Sequence, residues 1–292
     1  MNIHKYRQSV LAIAAVALLL PAQALAASSV WKVSKGDDHV YVGGTVHLLP
    51  ASEFPLPAEF ELAYQQTDTL VLEAKMPDPA DQQATMAMLQ KLSYGADEKL
   101  SKKISAKLFQ QLDLYLQGFG MKAAQLDGFK PGFVAVQTTM LEMHKAKLAG
   151  EGVDAYFAKK AHIDNKPQQY LETLDFQLAL MATMGVGQEE QFIQLMLEKN
   201  PQLVQLMQQS ITAWRRGDLT VLDTLLLQDS KKADPVTYQQ MFTQRNLDWI
   251  PKIAAMFGNQ QRELVLVGAG HLPGEDGVLQ LLQAAGYTVQ QL

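Results

Sequence analysis

Two histidines occupy the same local frame near opposite ends of the chain. His47 follows Gly44 by three residues, and His271 follows Gly268 by three residues; each motif comes at the end of an apolar run. Glycine lets the backbone approach a ligand closely, and ligands of open α/β sheets collect outside the carboxyl ends of the strands. The repeated Gly-x-x-His frame therefore predicts one shared site at a sheet edge, provided that the two strands are neighbours.

A carboxylate follows a third apolar run and completes a plausible ligand set. Glu73 comes directly after Leu70-Val71-Leu72 and is expected to reach the same edge. Two imidazoles and one carboxylate with open positions form a common catalytic ligand set for zinc or another divalent metal. Such a metal lowers the pKa of a water that it binds towards roughly 7 and polarises a carbonyl group. A single histidine is better explained by a structural hydrogen bond, whereas the matched pair favours metal binding or catalysis.

Other residues near these motifs are candidates for contact with a substrate or for support of the ligands. They are Gly44, Thr45, Asp154, Gly268 and Asn246. Arg245 lies inside a predicted helix, where a guanidinium can stabilise an oxyanion or clamp a carboxylate. Judged by its residue type alone, Arg245 fits a surface salt bridge better.

Several catalytic schemes are excluded by the sequence. It has no Gly-x-Ser-x-Gly elbow, no phosphate-binding Gly-x-x-x-x-Gly-Lys-Ser/Thr loop and no His-Glu-x-x-His helix. The absence of cysteine excludes disulfides, a thiol nucleophile and thiolate metal ligands.

The N-terminus has the pattern of an export signal. A cationic stretch with Lys5 and Arg7 precedes the apolar run Val10–Leu20, and Ala24-Leu25-Ala26 matches the small-x-small pattern of a cleavage site. The run is too short to cross a hydrocarbon core of ~30 Å. We therefore expect residues 1–26 to be a signal peptide that is cut after Ala26, which leaves a periplasmic or secreted protein.

Charge and hydropathy limit the partners of the mature chain. The whole chain has 25 basic and 30 acidic residues, and loss of Lys5 and Arg7 makes the mature net charge about −7, which disfavours nucleic acid and anionic membranes. No second run approaches ~20 apolar residues, so no membrane anchor is expected after cleavage. A peptide or small-molecule substrate remains, and nothing specifies the oligomeric state.

The predicted elements give an α/β fold with a central mixed sheet. Both chain ends have the order strand, Gly-x-x-His, helix, strand, and apolar residues at helical spacing fill most of the chain between them. We therefore predict a single domain over residues 27–292 with a large helical insertion over about 78–257. The predicted strands of the chain ends cover residues 30–33, 39–42, 69–73, 263–267 and 287–290, with helices over 58–66 and 278–285. Within the insertion, apolar residues at helical spacing predict helices that include residues 189–198 and 235–257.

These motifs together resemble the TraB/GumN family, which is related to the Tiki proteins of animals. The resemblance is carried by Trp31-Lys32-Val33, Tyr41–Pro50, Leu72-Glu73, Gly152-Val153-Asp154, Lys166-Pro167, Leu171-Glu172-Thr173 with Gln177, Arg245-Asn246, Val267–Gly277 and Gly286-Tyr287-Thr288-Val289. It implies a fold like that of erythromycin esterase and the haem-binding ChaN-like proteins. For the Tiki branch it implies a metal-dependent peptidase that needs both Gly-x-x-His histidines and a glutamate.

Carried onto this chain, the resemblance implies that His47, His271 and Glu73 bind a divalent metal (manganese, cobalt, zinc or iron). Arg245 matches the family's arginine and becomes a candidate for substrate or transition-state contact. One departure is Lys130-Pro131-Gly132, where relatives often have Lys-Pro-Trp. Loss of that aromatic residue is expected to reshape a pocket wall.

The leading hypothesis is an exported metal-dependent hydrolase, specifically a peptidase, in which Glu73 is either a ligand or a general base. The alternative is a non-catalytic periplasmic protein that binds a metal, haem or peptide in the same crevice. A third possibility is a helical interaction protein whose sheet site is vestigial.

Overall fold

The computed structural model describes residues 27–78 and 80–292. The predicted signal peptide, residues 1–26, lies outside the described residues. The first elements of the described residues are a hairpin of β1 (Val30–Lys35) and β2 (Asp38–Thr45). The two strands pair antiparallel, and Gly36 has a φ of 62° in the turn between them. The predicted hairpin is thus confirmed.

A six-stranded mixed sheet forms the centre of the fold. Its order is β4-β3-β5-β2-β1-β6, where β3 is Thr69–Leu72, β4 is Gln168–Tyr170, β5 is Glu263–Gly268 and β6 is Thr288–Gln291. The pairs β2/β5, β5/β3 and β3/β4 are parallel, whereas β1 is antiparallel to both β2 and β6. This confirms the predicted α/β fold with a mixed sheet.

Helices fill most of the chain between the strands. Their bounds in chain order are α1 Ala58–Gln65, α2 Gln82–Lys91, α3 Ala106–Gln117, α4 Pro131–Lys145, α5 Val153–Ile163, α6 Leu174–Thr183, α7 Glu189–Arg215, α8 Leu219–Leu226, α9 Gln228–Ala233, α10 Pro235–Tyr238, α11 Gln244–Ala254 and α12 Val278–Ala284. In the described part of the chain, no helix is long and apolar enough to span a membrane.

The sheet has a separate apolar core on each face. On one face α1, α5 and the end of α7 pack on the strands, with Phe60, Phe157 and Trp214 fully buried among them. On the other face α11 and α12 cover the strands with Trp249 and Leu282. Burial on both faces explains why β3 and β5 are continuous apolar runs instead of alternating patterns.

A third core belongs to the helices α2, α3, α4 and α6 and the first part of α7, which we call the helical unit (residues 82–145 and 174–200). Its buried residues include Leu100, Leu112, Leu116 and Ile193. Helix α7 continues past Pro201 into the first core of the sheet. The predicted helical stretch therefore returns to the sheet at α5, at β4 and at the end of α7.

Three elements differ from their predicted bounds. Strand β4 was not predicted, because its Gln168-Gln169-Tyr170 sequence has no apolar run. Helix α7 extends to Arg215 instead of ending at residue 198, since tertiary packing of its second half outweighs the local cost of Pro201. The helix predicted over 235–257 is interrupted by a π-helical turn, Gln239–Thr243.

Candidate functional site

The two Gly-x-x-His motifs come together at the carboxyl edge of the sheet. Strands β2 and β5 are parallel neighbours in which Gly44 pairs with Val267 and Thr45 pairs with Gly268. Each histidine therefore follows its strand at the same edge. Glu73 follows β3, which pairs with the other side of β5. The hypothesis of a shared site required that the strands before the two histidines be neighbours, and they are.

Three candidate side chains converge on Gly268. A Cβ atom at Gly268 would lie 3.3 Å from Glu73 Oε1, 3.6 Å from His47 Nε2 and 3.6 Å from His271 Cδ2. The Gly268 N–H donates to Glu73 Oε1 at 2.7 Å. Because Gly268 has no side chain, there is space beside it, and the two imidazoles and the carboxylate surround that space.

Both imidazole rings are held through Nδ1. His47 Nδ1 lies 3.0 Å from Asp154 Oδ1, where Val153 N donates to Val46 O and brings the start of α5 beside His47. His271 Nδ1 lies 2.6 Å from Asn246 Oδ1. An oxygen partner at Nδ1 holds a ring proton there, so in the neutral form of each ring Nε2 is the acceptor.

His271 is the buried member of the pair, and His47 the open one. The side chain of His271 is 5% exposed, whereas that of His47 is 63% exposed. His271 packs between Phe242 and Trp249, whose ring centroids are 5.1 and 4.5 Å away. A ligand therefore has access to the site from the His47 side.

Arg245 lies under the site with every guanidinium N–H engaged. NH2 donates to Glu73 Oε2 at 2.6 Å and to Glu172 Oε1 at 2.7 Å, and Nε donates to Glu172. NH1 donates to Met241 O and lies 3.0 Å from His271 Nε2. Arg245 is buried, so it is not the surface residue that its type alone suggested, and it contacts a substrate only by giving up one of these partners.

Two residues of this network were not among the predicted site residues. Glu172 holds Arg245, and its Oε2 accepts from Trp249 Nε1 at 3.1 Å. Gln177 Nε2 donates to Glu73 Oε2 at 3.0 Å and to Glu172 Oε1 at 2.8 Å. Glu172 follows β4, the strand that was not predicted, so the sequence did not indicate that it lies at the same edge.

Gly44 and Thr45 form the wall behind the site instead of contacting its polar centre. A Cβ atom at Gly44 would lie 2.8 Å from Leu272 Cδ1, and the Gly44 carbonyl accepts from Trp214 Nε1 at 2.7 Å. The hydroxyl of Thr45 is buried and has no hydrogen-bond partner among the described residues. Asn246 also donates to the Asp276 carbonyl at 2.7 Å, which ties α11 to the loop after His271.

The surroundings give the two histidines opposite protonation. Desolvation lowers the pKa of His47, but the hydrogen bond and charge of Asp154, with Glu73, outweigh it and raise this pKa to about 9. Burial lowers the pKa of His271 to about 3 against the attraction of Glu73. With no other ligand bound, His47 is therefore cationic at neutral pH and His271 is neutral.

Glu73 stays ionised in spite of its burial. Desolvation raises its pKa, but His271 when protonated, Arg245, His47 and the Gly268 N–H together lower it to about 2. Because His271 is itself neutral above pH 3 or so, Arg245 is the buried cation that keeps Glu73 charged at neutral pH.

The donor set fits a divalent cation in its chemistry. His47 Nε2, Glu73 Oε1 and the His271 ring surround the space beside Gly268, and oxygen partners fix both rings through Nδ1, as is usual for metal-binding histidines. The three carboxylates Glu73, Asp154 and Glu172 and the one guanidinium of Arg245 give the site a formal charge of −2 when both imidazoles are neutral.

The donors are not gathered into a finished coordination shell. No group of three His, Cys, Asp or Glu side chains within residues 27–78 and 80–292 is arranged to hold a metal ion. His271 Nε2 is 4.0 Å from Glu73 Oε1 and is in contact with Arg245. Binding of a cation to both imidazoles therefore requires that Arg245 NH1 leave His271.

Comparison with known proteins gives one family and two relatives. The model of the TraB/PrgY/gumN family matches residues 29–291, which include every candidate site residue. Two proteins described as "Uncharacterized protein YbaP", from Escherichia coli (strain K12) and Shigella flexneri, are each 25% identical over 257 residues. The match covers 85% of this chain and 89% of each relative. No solved structure matches the chain significantly.

Proposed function

The chain belongs to the TraB/PrgY/gumN family, and on that premise we propose that it is an exported metal-dependent hydrolase that acts as a peptidase. The proposal is supported above all by the convergence of His47 Nε2, Glu73 Oε1 and the His271 ring on the space beside Gly268. These donors come from three neighbouring strands that end at one edge, where α/β folds place their ligands.

Each polar residue of the site has a role in this proposal. His47, His271 and Glu73 hold the cation, which when bound polarises a carbonyl group and acidifies water. Asp154 and Asn246 orient the two rings. Arg245 keeps Glu73 ionised and would be the cation available to stabilise an oxyanion or a substrate carboxylate.

Glu73 has a second possible role, as a general base instead of a ligand. Its Oε2 is engaged by Arg245 and Gln177, whereas its Oε1 accepts only the Gly268 N–H. Oε1 is therefore the atom that binds the cation or accepts a proton from the nucleophile. The peptidase assignment itself depends on the resemblance to the Tiki branch.

Metal content of the untagged mature protein, residues 27–292, tests the proposal. The protein is reconstituted with Mn²⁺, Co²⁺, Zn²⁺ or Fe²⁺, desalted and measured by mass spectrometry. We expect near-stoichiometric metal in the parent protein and its loss in the double variant His47→Ala/His271→Ala. The double variant His144→Ala/His162→Ala is the matched control, because both of these histidines are exposed on helices.

The result separates the hypotheses. Metal that is bound by the parent and by the control variant, but not by the site variant, supports the site and justifies a screen of peptide substrates. Metal binding without any turnover favours the non-catalytic binding protein. If none of the four ions binds, the metal-dependent hydrolase is rejected, and haem or peptide binding becomes the hypothesis to test.

A further inference from the structure

The helical unit joins the sheet next to the carboxylates of the candidate site. Glu73 directly precedes the segment that leads into α2, and Asp154 stands in the first turn of α5, just after the segment that leaves α4. Glu172 stands just before α6, where the chain enters the unit again. Since the helical unit has an apolar core of its own, a shift of the unit relative to the sheet acts first on these carboxylates.

Gln177 is the side chain by which the helical unit contacts the polar centre. It lies on α6, and its amide nitrogen donates one hydrogen to Glu73 Oε2 and the other to Glu172 Oε1. Both carboxylates are largely buried, with side-chain exposures of 12% and 6%. Hydrogen bonds to buried charged groups are among the stronger ones in proteins.

The bridge adds a side-chain link between two residues whose backbones are already joined, since the Glu172 N–H donates to the Glu73 carbonyl at 2.8 Å. Glu73 follows β3, and Glu172 follows the short edge strand β4, whose ladder with β3 spans three residue pairs. On the opposite side of the carboxylates, Arg245 of α11 makes the same double contact. Glu73 Oε2 therefore accepts from Arg245, whose helix packs on the sheet, and from Gln177 of the helical unit. Its other oxygen, Oε1, is left directed at the space beside Gly268.

We propose that Gln177 is a positioning residue through which the helical unit sets the Glu73 carboxylate. When the unit is seated, Gln177 and Arg245 together hold Oε2 and present Oε1 to the cation. When the unit moves away, Glu73 loses one of its two Oε2 donors. The role assigned to Oε1 rests on the proposed function, whereas the coupling between the helical unit and Glu73 does not.

Gln177→Met tests this inference, because methionine has nearly the same length and shape but no N–H. The control is Gln194→Met, which removes a local amide contact with Glu198 on the exposed face of α7 in the same unit. Amide hydrogen exchange followed by mass spectrometry needs no substrate or metal. We expect exchange to rise at least tenfold in residues 74–81 and in the first turn of α6 in Gln177→Met only.

The affinity for Mn²⁺ or Zn²⁺, measured by calorimetry, is the second readout. We expect it to fall about tenfold in Gln177→Met, to stay unchanged in Gln194→Met, and to be restored in part by Gln177→His, which supplies a ring N–H. Exchange that is unchanged in Gln177→Met, or that rises equally in α3 and β5, overturns the inference. If the parent protein binds neither ion, the proposed function fails while the exchange data still decide the coupling.

Discussion

The two imidazoles of the candidate site are held by chemically different oxygens. Asp154 supplies a carboxylate to His47, and Asn246 supplies a neutral amide to His271. A carboxylate stabilises an imidazolium, whereas an amide oxygen beside a guanidinium does not. The proton on Nδ1 is therefore held in two environments of opposite charge preference, and only the open histidine is cationic at neutral pH.

Gly268→Ala tests the convergence at the residue scale. The added Cβ would meet Glu73 Oε1 at 3.3 Å and His47 Nε2 at 3.6 Å, so it fills the space that the cation needs. The backbone φ of −51° suits alanine, and we expect the free energy of unfolding to change by less than about 1 kcal/mol. Calorimetry with Zn²⁺ or Mn²⁺ should show at least a tenfold loss of affinity.

Gly128→Ala is the control for that measurement, because a Cβ there meets no atom within 4 Å. Equal affinities in Gly268→Ala and the parent would place the cation elsewhere. A loss of affinity that is accompanied by a much lower melting temperature would instead indicate a general packing defect.

At the scale of elements, a π-helical turn determines how α11 meets the site. The turn Gln239–Thr243 directly precedes α11. It places the Met241 carbonyl on Arg245 NH1 and the Phe242 ring on His271. Single π-helical turns are frequent at functional sites, and the extra residue rotates the side chains that follow. The sequence pattern alone predicted one continuous helix here.

The contact between α4 and α6 explains why the chain has glycine at position 132. A Cβ there would lie 2.1 Å from the Met181 carbonyl oxygen and 3.1 Å from Met184 Cβ. A tryptophan at this position, as the family resemblance led us to expect, would require a different spacing of these helices. The expected change in a pocket wall thus has a physical basis in the close packing of α4 on α6. Helix α6 also carries Gln177, which contacts Glu73.

Gly132→Ala is consequently expected to destabilise the protein. Relief of the clash requires a shift of α6, and overpacking of this kind costs about 1–3 kcal/mol. Urea denaturation should show the loss, while Gly95→Ala, whose Cβ would meet only Glu98 Oε2 at 3.9 Å, should unfold like the parent. Unchanged stability of Gly132→Ala would mean that the two helices separate at no cost.

On the scale of the whole molecule, the buried carboxylates at the two edges of the sheet have different partners. Glu73 at the carboxyl edge has Arg245 as a partner, whereas Glu263 at the opposite edge is 1% exposed and its Oε2 has no partner among the described residues. Burial, with Asp38 and Asp68 nearby, raises the pKa of Glu263 above 4.5 in spite of a hydrogen bond from Asn259.

The pH dependence of stability follows from the sign of this shift. Because the folded pKa of Glu263 lies above the unfolded value, its contribution to stability is complete below pH 4.5 and is lost as pH rises through the folded pKa. Glu263→Gln removes that loss, so we expect the free energy of unfolding at pH 8 to rise by about 1 kcal/mol. At pH 4 the variant should match the parent.

Thermal unfolding between pH 4 and pH 8 measures the effect, with the exposed Glu151→Gln as control. A variant that is less stable than the parent at pH 8 would show that Glu263 is ionised and usefully paired in the folded protein.

The sequence alone determined the parts of this protein that are local in the chain. The apolar runs Leu70–Leu72 and Leu264–Val267 predicted β3 and β5, and the repeated Gly-x-x-His frame predicted that His47 and His271 belong together. In any fold, glycine leaves space beside the backbone and glutamate supplies a carboxylate, so Gly268 and Glu73 could be chosen as candidates from the sequence. The family resemblance, which the match over residues 29–291 confirms, also depends on short contiguous motifs.

Only the tertiary structure decided which distant side chains complete the site. Glu172 and Gln177 lie about a hundred residues from Glu73 and reach it because β4, a polar strand without an apolar signal, pairs with β3. The buried state of Arg245 likewise depends on the packing of α11 against the sheet. Such contacts arise from the way separate elements pack, and no local pattern of residues records which elements will meet.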